Sequence, residues 1–374
     1  MRVLHIDTGT GWRGGQQQVL WLLQGAGARG LKQSLLAPAD SPLAARAQEA
    51  GVEVTALRLP IRSRANWRVV RELARRCDLV HAHDAHAHTL ALAAVRLTGR
   101  QSPPLVVSRR VGFPIPAAGR LKYAAASRYL AVSDHVRWRL LEAGVPAQKI
   151  RVVLDGVRPP ESLGGPEARA EFRARQAAPQ GAFVIGTLSA LAPEKRLPEA
   201  LQVVTHLPPE IHFWVGVPAA EPDPESAGAA LLEEARRRDL GQRFRIIPVP
   251  ENPGPFLGAL DLFLYLSRSE GLGSAILLAM AYGLPVVASA VGGIPEIVRH
   301  LATGVLLDGE SLGELPEAIV LLKHSPPLRQ RLGAAARAFV LEHATEDRMV
   351  AQTIALYEEL LEESRHLAHR RDRA

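Results

Sequence analysis

Residues Glu270 to Ser289 read EGLGSAILLAMAYGLPVVAS, and this stretch decides the fold class. The apolar run just before it, Leu262–Leu266, has the length of a buried strand. Ser267, Arg268, Ser269 and Glu270 form the turn at its end. Gly271, Leu272 and Gly273 then carry a backbone that can approach a ligand closely. Ser274–Tyr282 has helical composition, is closed by Gly283, and is followed by Pro285 and a second apolar strand. Strand, turn, helix, strand is the unit of a parallel sheet. The free amides of Ser274 and Ala275 at the helix start suit a phosphate or a sugar hydroxyl. Glu270, beside them, can accept hydrogen bonds from hydroxyls or serve only as a helix-capping acid.

The same alternation extends in both directions. Towards the N-terminus, strands are expected at 2–7 (RVLHID), 34–38, 52–59, 78–82, 105–108, 128–132 and 151–154, with helical stretches such as 16–28, 42–50 and 67–76 between them. Arg158–Pro166 is rich in proline and glycine and reads as a linker. Strands resume at 183–188, 212–217, 245–249, 262–266, 285–289 and 304–307. Pro218–Ser226 reads as an exposed loop, and Thr345–Glu363 as a long amphipathic helix. The expectation is an α/β protein of two doubly wound parallel-sheet domains, residues 1–160 and 161–344, facing a central cleft. The last helix, about 345–374, belongs with the first domain.

Composition agrees with two globular cores: 374 residues, 47% hydrophobic and 22% charged. One cysteine, Cys77, excludes an internal disulfide and any multi-cysteine metal site. Neither a signal peptide nor a membrane-spanning run is visible, so a cytoplasmic protein is expected. The net charge of +7 conceals an asymmetry. Residues 1–160 hold 24 Lys+Arg against 10 Asp+Glu, whereas the remainder holds 21 against 28. The basic half either faces an anionic partner or carries a solvated basic surface.

Two further motifs admit alternative readings. Gly9, Gly11 and Gly14 spell GxGxxG after a strand, with Asp40 near the end of the next strand, as in a dinucleotide site. Trp12 and Arg13 are bulky for a tight pyrophosphate turn, and any diphosphate-bearing molecule can use such a loop. Residues 78–88, DLVHAHDAHAH, contain His81, His83, His86 and His88. They suggest either a metal cluster or one functional histidine at a strand's carboxyl edge. His83 is the better-placed candidate, since open sheets bind ligands at that edge.

Taken together, EGLGSAILLAMAYGLPVVASAVGGIPEIV, the Gly14–Gly15 loop, DLVHAHD, LAVSDHVRWRLLEAGVPAQKIRVVLDGV (130–157), IGTLSALAPEKR (185–196) and GGIPEIVRHLATGVLL (292–307) resemble the family 4 retaining glycosyltransferases of GT-B fold, in order and over nearly the whole chain. The resemblance implies transfer of a sugar from a nucleotide-sugar, UDP- or GDP-linked, without a metal or other cofactor. It implies that Glu270 holds the transferred sugar and His83 contacts it near the reaction centre. It also implies that Lys195 binds the donor diphosphate. Gly14, Gly15 and Gln16 would line the same phosphates, with Gly271, Leu272, Gly273, Ser274 and Ala275 on the donor side. A cell-envelope glycan or a lipid-linked acceptor is the implied partner, and nucleic acid is not.

Two positions depart from the family pattern. The second glutamate of the motif, which holds the donor ribose, is Leu278, and the arginine five positions before the lysine is Ala190. Arg196 is the residue expected to supply the missing charge. Arg109 and Arg110, at the end of their strand, are expected to bind an anionic acceptor. Arg58, Arg62, Arg64, Arg68, Arg71, Arg75 and Arg76, with Trp67, suit either peripheral contact with an anionic membrane or plain solvation.

Overall fold

The computed structural model describes residues 1–58, 60–61, 63–96, 102–218 and 224–371. Arg62 and positions 219–223 of the expected loop lie outside them. Two compact units result: Met1–Gly156 with Glu346–Ala374, and Val157–Thr345.

The first unit carries a seven-stranded sheet: β1 (Arg2–Ile6), β2 (Lys32–Pro38), β3 (Glu53–Leu57), β4 (Leu79–Ala82), β5 (Leu105–Arg109), β6 (Arg128–Ala131) and β7 (Ile150–Val152). The order is β3-β2-β1-β4-β5-β6-β7 with every pairing parallel. The central strands are buried on both faces, which is why they read as apolar runs without alternation. The C-terminal helix Glu346–Arg371 packs on this sheet. Met349, Val350, Leu356, Tyr357 and Leu360 join a core with Val3, Leu22, Leu79 and Val106. Arg29–Asp347 (2.6 Å), Arg151–Glu359 (2.6 Å) and Arg128–Glu363 (2.5 Å) tie its flanks. These exposed pairs add little to the apolar burial.

The second unit carries six parallel strands: β8 (Phe183–Leu188), β9 (Ile211–Pro218), β10 (Phe244–Val249), β11 (Leu262–Tyr265), β12 (Val286–Ser289) and β13 (Val305–Leu307), ordered β10-β9-β8-β11-β12-β13. Its core runs from Phe183 and Leu201 through Phe213 and Phe244 to Leu264, Val287 and Leu332. The expected linker is bounded by helix Pro166–Arg175, and the expected exposed loop gives way to helix Pro224–Arg237.

In both sheets the strand order reverses once, at β1/β4 and at β8/β11. Open α/β sheets bind ligands outside the carboxyl ends of the strands at such a reversal. The first carries Asp7 and His83; the second carries Lys195 and Glu270.

Candidate functional site

In the second unit, β8 leads through a short 3₁₀ turn, Pro193–Lys195, into helix Leu197–Thr205. Across the reversal, β11 leads through Leu266–Gly273 into helix Ser274–Ala281. Lys195 Nζ donates to Tyr265 Oη at 2.8 Å and forms a short ion pair with Glu270 Oε1. The same carboxylate oxygen accepts from Tyr265 Oη at 2.9 Å and from Ser267 Oγ at 3.1 Å. Both charged side chains are largely buried, at 16% and 14% exposure, so the pair is shielded from solvent without being sealed. Burial and the neighbouring Glu270 carboxylate push the Tyr265 phenol well above its ordinary range, so it stays a proton donor.

The backbone around Glu270 is held by glycine. Gly292 has φ +58°, and a Cβ there would stand 1.9 Å from the Glu270 carbonyl oxygen. Gly273, at φ +100°, starts helix Ser274–Ala281 without a side-chain cap. The amides of Ser274 and Ala275 therefore head the helix beside Glu270, where an anion finds N–H donors and a favourable dipole. Leu272 is buried and Gly271 and Gly273 have no side chain, so this turn can offer a ligand only backbone. Leu278 is half-buried one turn along.

Arg196 is placed differently from expectation. Its guanidinium donates to the carbonyls of Gly309 (3.1 Å) and Glu310 (3.2 Å). Its backbone is left-handed, between the 3₁₀ turn and the helix. That arrangement gives Arg196 the work of pinning the loop after β13. The charge missing at Ala190 is not supplied beside Lys195 by this fork.

In the first unit, His83 follows β4 and Asp84 caps helix Ala85–Arg96. Asp84 accepts from the backbone N–H of His86 (2.7 Å) and Ala87 (2.9 Å), and from Thr8 N and Oγ1 (2.6 and 2.7 Å). Only His81 and His83 of the four sequence histidines come together. His86 is exposed, and His88 packs edge-on against Tyr123 and Tyr129 in the core. Their companion is His5, from the middle of β1. His5 Nδ1 and His83 Nε2 lie 3.0 Å apart, with rings parallel within 8°. His81 spends Nδ1 on Tyr357 Oη (2.5 Å) and Nε2 on Ser108 Oγ (2.8 Å). The three offer ligand nitrogens within 4.8 Å of one another. A metal would have to displace most of these bonds, so the set is built as a hydrogen-bonded neutral cluster. Burial lowers the His5 pKa to about 3 and holds His81 and His83 well below the ordinary histidine range.

Asp7 completes this edge, and sequence reasoning passed over it. Burial and the nearby Asp84 carboxylate raise its pKa to about 6, against hydrogen bonds from Gly9 N (2.9 Å) and Gln16 Nε2 (3.3 Å). Gly14 and Gly15 open helix Gly14–Ala28, which has no side-chain cap. A Cβ at Gly15 would meet nothing, so packing does not demand that glycine. Asp40 is exposed in the turn before helix Pro42–Glu49.

The two arginines separate. Arg109 is tied to Tyr123 Oη at 2.7 Å and to the Phe113 carbonyl. Arg110 pairs through Nε with buried Asp155 at 3.1 Å and keeps a buried Nη1 without a partner. Of the basic and aromatic surface, Arg58, Arg64, Arg68, Arg75, Arg76 and Trp67 are exposed. Among the described residues, no helix is long and apolar enough to cross a membrane.

Comparisons with known proteins bear on both units. A family model described as glycosyltransferase family 4 matches residues 12–159, and one described as glycosyl transferases group 1 matches 168–339. N-acetyl-alpha-D-glucosaminyl L-malate synthase of Bacillus anthracis is 32% identical over 137 residues, 36% of this chain and 36% of that protein. D-inositol 3-phosphate glycosyltransferase of Nocardia farcinica is 29% identical over 314 residues, 79% of this chain and 64% of that protein. The chain thus spans between about a third and just under two thirds of the length of these relatives. Anabaena HepE, solved with UDP and glucose, superposes with a TM-score of 0.84 at 20% identity, over 96% of this chain and 99% of that one.

Proposed function

From the premise that this chain belongs to the family 4 glycosyltransferases of GT-B fold, we propose that it transfers a sugar from a nucleotide-sugar to a hydroxyl of an anionic or cell-envelope acceptor. The observation that carries this reading is the Lys195–Tyr265–Glu270 arrangement beside the uncapped helix Ser274–Ala281. One cation and free amides suit a diphosphate; one carboxylate with spare lone pairs suits sugar hydroxyls.

In the reaction, the acceptor oxygen forms a bond to the anomeric carbon while the bond from that carbon to the diphosphate oxygen breaks. The acceptor proton passes to the departing phosphate, and the anomeric configuration is retained. Lys195 and the amides of Ser274 and Ala275 stabilise charge on the leaving group. Glu270 holds the sugar through its hydroxyls, and His83, neutral at physiological pH, contributes a hydrogen bond. No step calls for a metal ion.

The Bacillus relative is named for L-malate and the Nocardia relative for inositol 3-phosphate, both anionic acceptors. The partnerless Nη1 of Arg110 supports a negative charge on the acceptor here as well. A glycan or lipid-linked acceptor carrying such a group satisfies both expectations, and the exposed basic helix Arg64–Ala74 would assist at an anionic membrane.

Nucleoside diphosphate release, measured over UDP-, GDP- and ADP-sugars with candidate acceptors, tests the reading. Glu270→Ala and Lys195→Ala each lower kcat/KM by about 10²–10³. Wild-type turnover in either variant refutes the assignment.

A further inference from the structure

The segment that follows β5 leaves the first sheet at the same carboxyl edge as His83, since β4 and β5 are adjacent and parallel. It reads VGFPIPAAGRL, Val111 to Leu121, and holds no acidic residue. Nor does a longer stretch around it: residues 85–133 contain seven Lys+Arg and no Asp or Glu. The apolar side chains of this segment are not folded inward. Val111 is 44% exposed, Phe113 60% and Leu121 84%, and Trp138 on helix Asp134–Glu142 is 50% exposed.

Two arginines hold these groups on one patch. Arg109 donates to the Phe113 carbonyl and, at 2.7 Å, to Tyr123 Oη. The turn carrying Phe113 and the helix Arg120–Ala124, which carries Leu121, thus share one guanidinium. Arg139 donates from Nε to the Gly112 carbonyl at 3.1 Å, while its guanidinium carbon lies 4.7 Å from the centre of the Trp138 ring. Trp138 is thereby tied to the same turn. Pro114 and Pro116 are exposed within it and carry no N–H, so the turn has fewer backbone donors to desolvate when it enters an apolar surface.

The charges around the patch select its partner. Arg120, next to Leu121, is exposed, and Lys122 on its other side is half-buried. Arg137 and Arg139, on either side of Trp138, pair with acids of their own helix, Asp134 at 3.1 Å and Glu142 at 3.0 Å, and add little net charge. The positive charge of the patch therefore comes from the acid-free segment. Exposed aromatic and aliphatic side chains beside Lys and Arg suit anionic headgroups over acyl chains. A second copy docked through the same patch would set two surfaces of like charge against each other. The basic helix Arg64–Ala74 has the charge without the apolar part, since its exposed large hydrophobic side chain is Trp67 alone, at 38%.

We propose that Val111, Phe113, Leu121 and Trp138, with Arg120 and Lys122, form a docking surface for an anionic lipid bilayer. The four apolar side chains enter the region between headgroups and acyl chains, and the two cations meet lipid phosphates. The bilayer is thereby brought to the carboxyl edge of the first sheet. Under the glycosyltransferase reading, the acceptor is then one carried by a lipid. That last step rests on the reading, whereas the docking surface does not.

Flotation of the full chain with vesicles of equimolar phosphatidylglycerol and phosphatidylcholine tests the proposal without any substrate. The chain is expected to float with these vesicles and much less with phosphatidylcholine alone. Phe113→Ser and Leu121→Ser each weaken partitioning about tenfold, because each withdraws one large apolar side chain from the bilayer. Arg120→Glu weakens it by about tenfold or more on the anionic vesicles. Trp67→Ser leaves it unchanged. The substituted side chains are exposed, so urea midpoints stay at the wild-type value and a lost fold is not mistaken for lost docking. Calorimetric binding of UDP- or GDP-sugars is unaltered in these variants. A chain that floats as described but binds no nucleotide-sugar refutes the transferase reading and leaves the docking surface standing. Absence of flotation, or equal partitioning of wild type and the Phe113→Ser, Leu121→Ser double variant, overturns the proposal. So does a dimer in sedimentation equilibrium that the double variant dissociates, since a second copy then covers the patch.

Discussion

The two switch-point edges solve the same problem, holding polar groups at the end of a parallel sheet, by opposite means. In the second unit the working groups are charged, and backbone holds them: Gly292 lies against Glu270, and Gly273 opens the helix beside it. In the first unit the histidines are neutral, and side chains hold them: His5 on His83, Tyr357 and Ser108 on His81. A charged pair that must exchange its partners for a ligand benefits from a rigid frame. A neutral ring is oriented by the hydrogen bonds its two nitrogens make, and here those bonds come from side chains.

The largest expected effect breaks the backbone side of this contrast. Gly292→Ala drives a Cβ into the Glu270 carbonyl at a positive φ, so urea unfolding should show a loss of about 3 kcal/mol. Gly15→Ala, where a Cβ meets nothing, should unfold like wild type. Equal midpoints for the two variants would remove the claim that glycine holds the second edge.

A gain of function sharpens the charged side. Leu278→Glu places a carboxylate where the family resemblance implies a contact with the donor ribose. One charge-assisted hydrogen bond is worth roughly 1.5–3 kcal/mol, so donor Kd should fall tenfold or more in calorimetry. An unchanged Kd would mean that the ribose is held elsewhere in this chain.

The smallest effect concerns Asp7. Its folded pKa of about 6 lies above its ordinary value of 3.8, so the folded state keeps a proton that the unfolded chain releases between those values. Stability is therefore lost as pH rises through that window. Asp7→Asn removes the cost, raising Tm by several degrees at pH 8 and leaving it unchanged near pH 4. The same gain at both pH values would point to packing instead.

Much of this was legible from residues alone, and the rest was hidden for a physical reason. Strand–turn–helix alternation announces both sheets, because parallel strands need crossover helices between them. Glu270 and His83 stood out because they follow apolar runs, at the edges where ligands bind. His5 and Tyr265 did not, because each sits inside such a run. A strand buried on both faces has no alternation to mark one polar side chain as aimed at a site. Arg196 and Arg109 show the converse. Their charge and position suggested ligand contacts, but sequence does not reveal that their forks are turned onto the carbonyls of Gly309, Glu310 and Phe113. Of these arginines, the one with a buried terminal nitrogen still unpartnered is Arg110, at Nη1.

The central claim is that Lys195 and Glu270 bind the diphosphate and the sugar of a nucleotide-sugar, and titration calorimetry with UDP- and GDP-sugars reads it directly. The account predicts saturable binding of one nucleotide-sugar, weakened at least tenfold in Lys195→Ala. Binding of equal strength in wild type and Lys195→Ala, or of no nucleotide-sugar at all, would contradict it.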